Sequence, residues 1–246
     1  RTDVRDGFAR TLSGTDLIVG ARGGAVQLLL YSVFHVGDAT ANVSWQSFQA
    51  IAGLPQVAWA VPISLGDTHR GRRVMGTERA FFDHYRHGRD VALRFEDGRP
   101  FAALFEAVIG AELARSLGYA VGQQIVVSHG TAGLASHDDK PFTIVGVLAP
   151  TGTPIDRTVL VSLEAIEAIH VDWSSGGRIP GISIPADKVQ RFDLTPKSVT
   201  AVLVGLKSRT TVFQVQRFVN RYPAEPLTAI MPGVTLQALW DVVGVV

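Results

Sequence analysis

The chain has 246 residues, of which 46% are hydrophobic, and its 23 basic and 22 acidic side chains give a formal net charge of +1. This length accommodates one large or two small domains, and the balanced charge argues against the basic surface that nucleic-acid binding requires. Cysteine is absent, which excludes disulfide bonds, thiol catalysis and zinc sites built from cysteine.

The first third of the chain predicts alternating strands and helices. An amino-terminal helix is indicated by Val4, Phe8 and Leu12, which recur at helical spacing from near Arg1. Strands are predicted at residues 17–21, 57–65 and 72–76, and helices at residues 26–34, 45–52 and 79–85. Ser44 is a typical helix N-cap, and Gly66 with Asp67 predicts a turn between two of the strands.

The middle of the chain is richer in strands. Strands are predicted at residues 105–109, 123–129, 140–148 and 158–161, and helices at residues 111–117 and after the N-cap Ser162. The turn at residues 151–154 contains Gly152 and Pro154, which favour a change of chain direction. A glycine-rich loop over residues 171–185 follows, and we expect it to be mobile.

The last part returns to the pattern of the first. It predicts a strand at residues 198–206, a helix capped by Ser208, a strand at residues 227–231 and a terminal helix after Gly233. That helix has an apolar stripe at Leu236, Leu239, Trp240, Val243 and Val246. Because the chain is still becoming more apolar at its carboxyl end, and a helix is already under way near Arg1, we expect each end to continue into a membrane helix.

Two polar segments, at residues 86–100 and 193–197, divide this order of elements. The parts outside them are alike in type, and neither is complete alone. The sequence therefore predicts an α+β fold in two parts. The outer part is an α/β domain made of residues 1–88 and 198–246, and the inserted part is a strand-rich domain of residues 89–197.

The chain lacks the short motifs of common enzyme classes. It contains no G-x-S-x-G nucleophile elbow and no G-x-x-x-x-G-K-[ST] phosphate-binding loop. Its exposed acidic pairs show no sign of a shared cleft. We therefore expect no catalytic residues and no cofactor.

One loop holds candidate metal ligands. His129 and His137 flank the predicted hairpin loop between two strands, and Asp138 is adjacent, so two imidazoles and a carboxylate could meet across it. A solvated hairpin explains the same residues without a metal. His84 and His87 lie among arginines, which oppose a bound cation, and indicate a solvated face.

Two segments are candidates for contact with a partner protein. The run at residues 26–34 is the most apolar of the chain, and it is either core or an exposed patch that includes Leu29, Tyr31 and Phe34. Arg70 and Arg72 stand at a predicted hairpin turn, where they could meet an acidic partner or lipid headgroups.

Several segments, in a fixed order, resemble a known family. They are DLIVGARGG, GLPQVAWAVPISLGD, VMGTERAFFDHY, VIGAELARSLGYAVGQQIVV and FTIVGVLAPTGTPIDRTVLVSLEAI. Together they resemble the extracytoplasmic core domain of MacB-like (FtsX superfamily) ABC transporter permeases. The resemblance covers most of residues 15–170 and, more weakly, residues 198–246.

The resemblance implies a non-catalytic ectodomain with a porter-like outer part and a sabre-like inserted part. It implies a permease in the bacterial inner membrane, with this domain in the periplasm between two transmembrane helices. The implied partners are a cytoplasmic ABC ATPase subunit, a second permease copy, and a periplasmic adaptor or substrate-carrying protein. The implied mechanism is mechanotransmission, in which ATP hydrolysis drives a periplasmic conformational change that exports or extracts a substrate.

Two alternatives stay open at this point. The chain could belong to a lipoprotein-handling or metal-linked ABC system, since the sequence does not identify the cargo. It could instead be a soluble α+β metal-binding protein or enzyme that uses His129 and His137 as ligands.

Overall fold

The computed structural model describes residues 11–130, 135–174 and 177–244. The predicted helix around Val4 and Phe8, and the terminal Val246, lie outside these ranges. The fold is mixed α/β, as predicted, with one large mixed sheet and helices packed on both of its faces.

The helices of the described ranges are α1 (Ala25–Ser32), α2 (Trp45–Ala52), α3 (Ala80–His84), α4 (Ala111–Leu117), α5 (Leu163–Ile169), α6 (Val212–Asn220) and α7 (Pro232–Val243). The strands are β1 (Leu17–Ala21), β2 (Val43–Ser44), β3 (Val57–His69), β4 (Arg72–Thr77), β5 (Arg86–His87), β6 (Val91–Ala92), β7 (Phe95–Gly98), β8 (Glu106–Ile109), β9 (Gln124–Ile125), β10 (Ser128–His129), β11 (Ala135–Ser136), β12 (Phe142–Leu148), β13 (Val159–Ser162), β14 (Trp173–Ser174), β15 (Gly177–Arg178), β16 (Ser198–Val199), β17 (Ala201–Leu206) and β18 (Leu227–Ile230).

Local sequence signals fix several helix ends. The Ser44 hydroxyl accepts a hydrogen bond from the Ser47 amide at 3.1 Å, and the Ser162 hydroxyl accepts one from the Ala165 amide at 3.1 Å. Both serines therefore satisfy amides at the open amino terminus of a helix, as predicted. Gly118 ends α4 with φ 67°, a left-handed conformation that glycine adopts without a steric penalty.

The main sheet runs in the order β18-β1-β17-β3-β4-β13-β8-β12-β7. Most neighbours are antiparallel, but β13 pairs with β4, and β12 with β8, in parallel. The strands of the outer part occupy one end of the sheet and those of the inserted part the other. Because one sheet contains both, the division at residues 88–89 and 197–198 stays a prediction.

Strand β3 joins the two ends of the sheet. Its first half pairs with β17, its second half pairs with β4, and residues 67–68 also pair with β10. Since β4 already occupies one edge of that second half, β10 must occupy the other edge, beyond the end of β17. A single strand of 13 residues thus organises the sheet.

The two faces of the sheet differ in how their hydrophobic residues connect. We call one the continuous face, because a single cluster spans the whole sheet on it; it includes Ile18, Val61, Ile63, Met75, Val108, Leu148, Leu160 and Leu203. Helices α1 and α3 contribute Leu28, Leu29, Phe81 and Phe82 to this cluster. Alternate residues of the same strands face the opposite side, as the two-residue period of a strand requires.

The opposite face, which we call the divided face, carries two separate clusters. One lies under α2 and α6 on the outer part, also takes in Leu163 of α5, and includes Leu17, Val19, Phe48, Val202, Val204, Val215 and Val219. The other lies on the inserted part under α4 and α5 and includes Val74, Ala107, Ile109, Leu113, Ile144, Val159 and Ile169. The region between the two clusters is where the polar residues described below lie.

Three sequence-based assignments were wrong in detail. The predicted turn at Gly66 and Asp67 is strand, because β3 continues to His69 and turns at Arg70 and Gly71. The predicted strand over residues 123–129 is two short strands. A 3-10 helix, Pro154–Arg157, follows the predicted turn, and Ser208 precedes another, Arg209–Thr211, rather than α6 itself.

Candidate functional site

Four polar side chains converge on the divided face, and we call them the histidine cluster: Asp67, His129, His137 and His170. Asp67 lies in β3 directly opposite His129 of β10. His170 ends α5, and His137 follows β11 with its amide bonded to the carbonyl of Val127 at 2.9 Å. Elements from distant parts of the sequence therefore supply the four side chains.

A β-bulge directs Asp67 into this cluster. Leu65 is opposite Met75 and Asp67 is opposite Val74, so Gly66 is an extra residue on β3. The extra residue reverses the alternation of the strand. Leu65 packs on the continuous face, and Asp67 consequently shares the divided face with Val74.

Helix α5 brings His170 to the same place by packing closely on β4. A Cβ atom at Gly76 would lie 2.7 Å from Ile166 Cγ1 and 3.3 Å from Leu163 Cδ2. These distances are shorter than normal contacts, so the helix can take this position only because residue 76 has no side chain.

The ring and carboxylate atoms lie at hydrogen-bonding distance or slightly beyond. His129 Nδ1 is 3.2 Å from Asp67 Oδ1 and 3.2 Å from His170 Nε2. His170 Nε2 is 3.6 Å from Asp67 Oδ1. One ligand atom from each of Asp67, His137 and His170 lies within 4.8 Å of the others.

The backbone fixes the orientation of His170. Its Nδ1 is 2.8 Å from the carbonyl oxygen of Ile166, which can only accept a hydrogen bond. When His170 is neutral, Nδ1 therefore carries the proton and the lone pair of Nε2 points at Asp67 and His129. A histidine that donates one ring N–H to a backbone carbonyl is the usual arrangement for a metal ligand.

His137 is buried without a polar partner. Its side chain is 0% exposed, and neither ring nitrogen has a hydrogen-bond partner among the described residues. Its ring packs 4.1 Å from that of Trp173 and 4.8 Å from that of His170, between ring centroids. A buried polar group without a partner costs about 1–3 kcal/mol, so this imidazole requires an explanation.

Burial shifts the proton equilibria of the cluster. Burial, with His170 and Lys140 nearby, lowers the pKa of His137 to about 3. Burial raises the pKa of Asp67, while His170 and His129 act in the opposite direction. His137 is consequently neutral at physiological pH, the form in which an imidazole has a lone pair to offer.

A buried ion pair borders the cluster. Lys140 and Asp172 are both 0% exposed, and Lys140 Nζ lies 3.2 Å from both carboxylate oxygens of Asp172 and 2.9 Å from Asp139. The Ile184 amide donates to Asp172, and Arg178 pairs with Asp139 at 2.7 Å. These charges are paired, in contrast to the unpaired nitrogens of His137.

Solvent reaches the cluster from one side. A pocket of about 210 Å³ is lined by Asp67, His129 and His170, together with residues of the two neighbouring hydrophobic clusters, such as Val199 and Ile166. Side-chain exposure falls from 40% for His129 through 25% for His170 to 6% for Asp67. A small ion could therefore enter past His129.

The candidate ligands named from the sequence are only partly brought together. His129 and His137 both belong to the cluster, but Asp138 is exposed and accepts a hydrogen bond from Ser136 instead. Asp67 supplies the carboxylate and His170 a third imidazole. Sequence reasoning missed Asp67 because a turn was predicted there, and His170 because an isolated histidine after a short helix gives no signal.

The candidate partner-contact residues fall into two groups. Leu29 and Tyr31 are buried in the continuous face, so a partner could reach them only if the core opened. Phe34 and Arg72 line one surface groove of about 850 Å³, and Arg70 is exposed at the turn after β3. His84, for which the sequence indicated a solvated face, stacks on Trp59.

The family model for the MacB-like periplasmic core domain matches residues 2–222. The chain belongs to this family. The periplasmic region of MacB from Actinobacillus actinomycetemcomitans is similar to this MacB-like domain, with a TM-score of 0.53, 9% identity, and coverage of 93% of this chain and 94% of that chain. A search of curated proteins finds no match.

A second solved structure is also similar to this MacB-like domain. It is the extracellular domain of the noncanonic ABC-type transporter YknZ from Gram-positive bacteria, with a TM-score of 0.47, 13% identity, and coverage of 87% and 98% of the two chains. The family is that of the periplasmic domains of MacB-like ABC transporter permeases. No helix in the described ranges is long and apolar enough to span a bilayer.

Proposed function

We propose that this MacB-like domain performs mechanotransmission in an ABC transporter permease. In this proposal a cytoplasmic ATPase subunit hydrolyses ATP, the flanking transmembrane helices move, and the domain carries that movement into the periplasm to export or extract a substrate. The domain itself is non-catalytic. The permease resides in the bacterial inner membrane and works as a dimer with a second copy.

The observation that carries this proposal is the continuity of β3 across the sheet. A strand of 13 residues spans roughly 43 Å at ~3.3 Å per residue. This one strand belongs to both ends of the sheet, because residues 57–63 pair with β17 and residues 64–69 pair with β4. The continuous face opposes the same separation, because its hydrophobic cluster spans both ends.

The carboxyl-terminal helix connects to this body through packing. Helix α7 packs against α1, which in turn packs on β1, and Leu236 of α7 contacts the cluster of the continuous face. A displacement of α7 would therefore carry the sheet with it. We propose that the outer part (residues 1–88 and 198–246) receives the movement and the inserted part (residues 89–197) presents it to the second copy or to an adaptor.

Spin labels on the assembled permease test this proposal. The 246 residues contain no cysteine, so Glu96→Cys at the far edge strand β7 and Lys207→Cys after β17 would each provide a unique label site in this domain. Both positions are exposed. Distances would be measured by double electron–electron resonance with and without a non-hydrolysable ATP analogue.

The proposal makes opposite predictions for two distances. The distance from residue 96 to residue 207 within one chain should stay constant, because the sheet is one body. The distance between residue 96 of the two copies should change when nucleotide binds. A change within the chain, or no change between the copies, would contradict mechanotransmission by a rigid domain.

A further inference from the structure

The buried side of the histidine cluster indicates a binding property that does not depend on the proposed function. His137 is fully buried, and both of its ring nitrogens lack hydrogen-bond partners among the described residues. The ring faces His170 rather than solvent. In most proteins such a position is occupied by an apolar ring of similar size, because burying an unsatisfied imidazole is costly.

The other side of the cluster offers a prepared set of donor atoms. The carbonyl of Ile166 orients His170 so that Nε2 faces Asp67. Asp67 is fixed by the bulge in β3 and is almost fully buried, so its carboxylate also needs a counter-charge. Two histidines and one carboxylate from three separate elements are a common ligand set of zinc.

We propose that Asp67, His137 and His170 bind a zinc ion, with the fourth coordination position open towards His129 and the solvent pocket. The ion would join β3, the segment after β11 and the end of α5. It would therefore cross-link the sheet at the region between the two clusters of the divided face.

The distances fit this assignment. Zinc bonds of about 2.0–2.2 Å to nitrogen and oxygen place two tetrahedral ligand atoms roughly 3.3–3.6 Å apart. His170 Nε2 and Asp67 Oδ1 are already 3.6 Å apart. All three ligand atoms lie within 4.8 Å of one another, so closure around the ion needs a movement of about 1 Å.

The surrounding charges also permit a cation. Lys140, the nearest buried cation, is held by Asp139 and Asp172, and Arg178 is held by Asp139. These two cations are matched by two carboxylates. The negative charge of Asp67 is therefore available to attract a divalent ion to the cluster.

Calorimetric titration of zinc into the purified 246-residue chain, prepared without a histidine tag, tests the proposal. We expect one zinc ion per chain with micromolar or tighter affinity, and no heat with magnesium, which prefers six oxygen ligands. His170→Gln should weaken zinc binding by roughly 100-fold or more, because it removes a ligand. His84→Gln, near the opposite end of β3, removes the same ring and should leave the affinity unchanged.

Three further measurements keep the outcome clear if a variant is unstable. Asp67→Asn keeps the shape of the side chain and should also weaken zinc binding. Zinc at a hundredfold excess over its dissociation constant should raise the thermal midpoint of the natural chain by roughly 5–10 °C. Cobalt(II), as a spectroscopic substitute, should give the intense visible absorption of a tetrahedral site.

The opposite results would overturn the proposal. Absence of saturable zinc binding at micromolar protein would refute it directly. Equal affinities of the His170→Gln and His84→Gln variants would place any bound zinc elsewhere, as would an octahedral cobalt spectrum.

Discussion

The continuous and divided faces of the sheet are built from alternate residues of the same strands, yet they hold the molecule together in different ways. On the continuous face, hydrophobic side chains from both ends of the sheet meet in one cluster. On the divided face the buried hydrophobic side chains form two clusters, and the pocket at the histidine cluster is lined by residues of both. The continuous face joins the two ends of the sheet, whereas the divided face accommodates the polar side chains of the histidine cluster.

The largest expected effect lies beside the histidine cluster, in the buried ion pair. Lys140→Met would leave the fully buried Asp172 without its cation and should lower the free energy of unfolding by about 3–5 kcal/mol. Urea denaturation measures this change. The double variant Lys140→Met/Asp172→Asn should recover most of the loss, because no unpaired buried charge remains and the amide oxygen can still accept from Ile184.

A cost below about 1 kcal/mol for the single variant would contradict the assigned role of this pair. It would mean that water compensates for the missing cation, and that the divided face is more polar than its burial indicates.

A smaller effect is expected on the continuous face. Leu160 in β13 is fully buried, and Leu160→Ala should cost about 3 kcal/mol through lost burial and the cavity left behind. Val121 is exposed, so Val121→Ala should change stability by less than about 0.5 kcal/mol and serves as the control.

The same variant tests whether the continuous face unites the two ends of the sheet. Trp45, Trp59 and Trp240 belong to the outer part, whereas Trp173 alone belongs to the inserted part. Tryptophan fluorescence therefore reports mainly on the outer part, and far-ultraviolet circular dichroism on both. Coincident unfolding curves are expected for Leu160→Ala, since the sheet unfolds as one unit. Separate transitions would show that the two parts are only loosely coupled.

The smallest effect is a loss of stability at low pH, caused by His35 at the rim of the continuous face. Burial, and secondarily Arg73, lowers the pKa of His35 to about 4. As pH falls below about 6.5, the unfolded chain takes up a proton that folded His35 resists, so the free energy of unfolding falls between about pH 6.5 and 4. Since the side chain is partly open to solvent, we expect a loss of roughly 1–2 kcal/mol.

His35→Asn removes this titration and keeps a residue that tolerates the left-handed backbone, φ 56°, at this position. Urea denaturation across the pH range should give a flatter profile for the variant than for the natural chain. Parallel profiles would assign the acid sensitivity to other groups.

Much of the fold was predictable because its signals are local. Ser44, Ser162 and Gly118 mark helix ends through hydrogen bonds or backbone geometry of neighbouring residues, and short runs of apolar residues mark β1 and β12. The order of segments also identified the family. These features need no knowledge of distant contacts.

The histidine cluster could be predicted only in part, because long-range pairing decides it. Gly66 and Asp67 have the composition of a turn, but β4 and β10 pair with this segment from both sides and keep it extended. Asp67 then reaches the cluster because of a β-bulge that no local sequence pattern predicts. His170 is separated from His129 by 41 residues, and they meet because α5 packs over Gly76 and β10 pairs with β3.

The parallel pairing of β4 with β13 has a consequence for anyone who separates the two predicted parts. β4 belongs to the outer part and β13 to the inserted part, and their backbones pair from Val74 to Thr77. A cut at the predicted boundaries would leave β4 in one fragment and β13 in the other, each with one edge unpaired. Such fragments are expected to aggregate or to exchange strands between copies, so the domain should be expressed and crystallised whole.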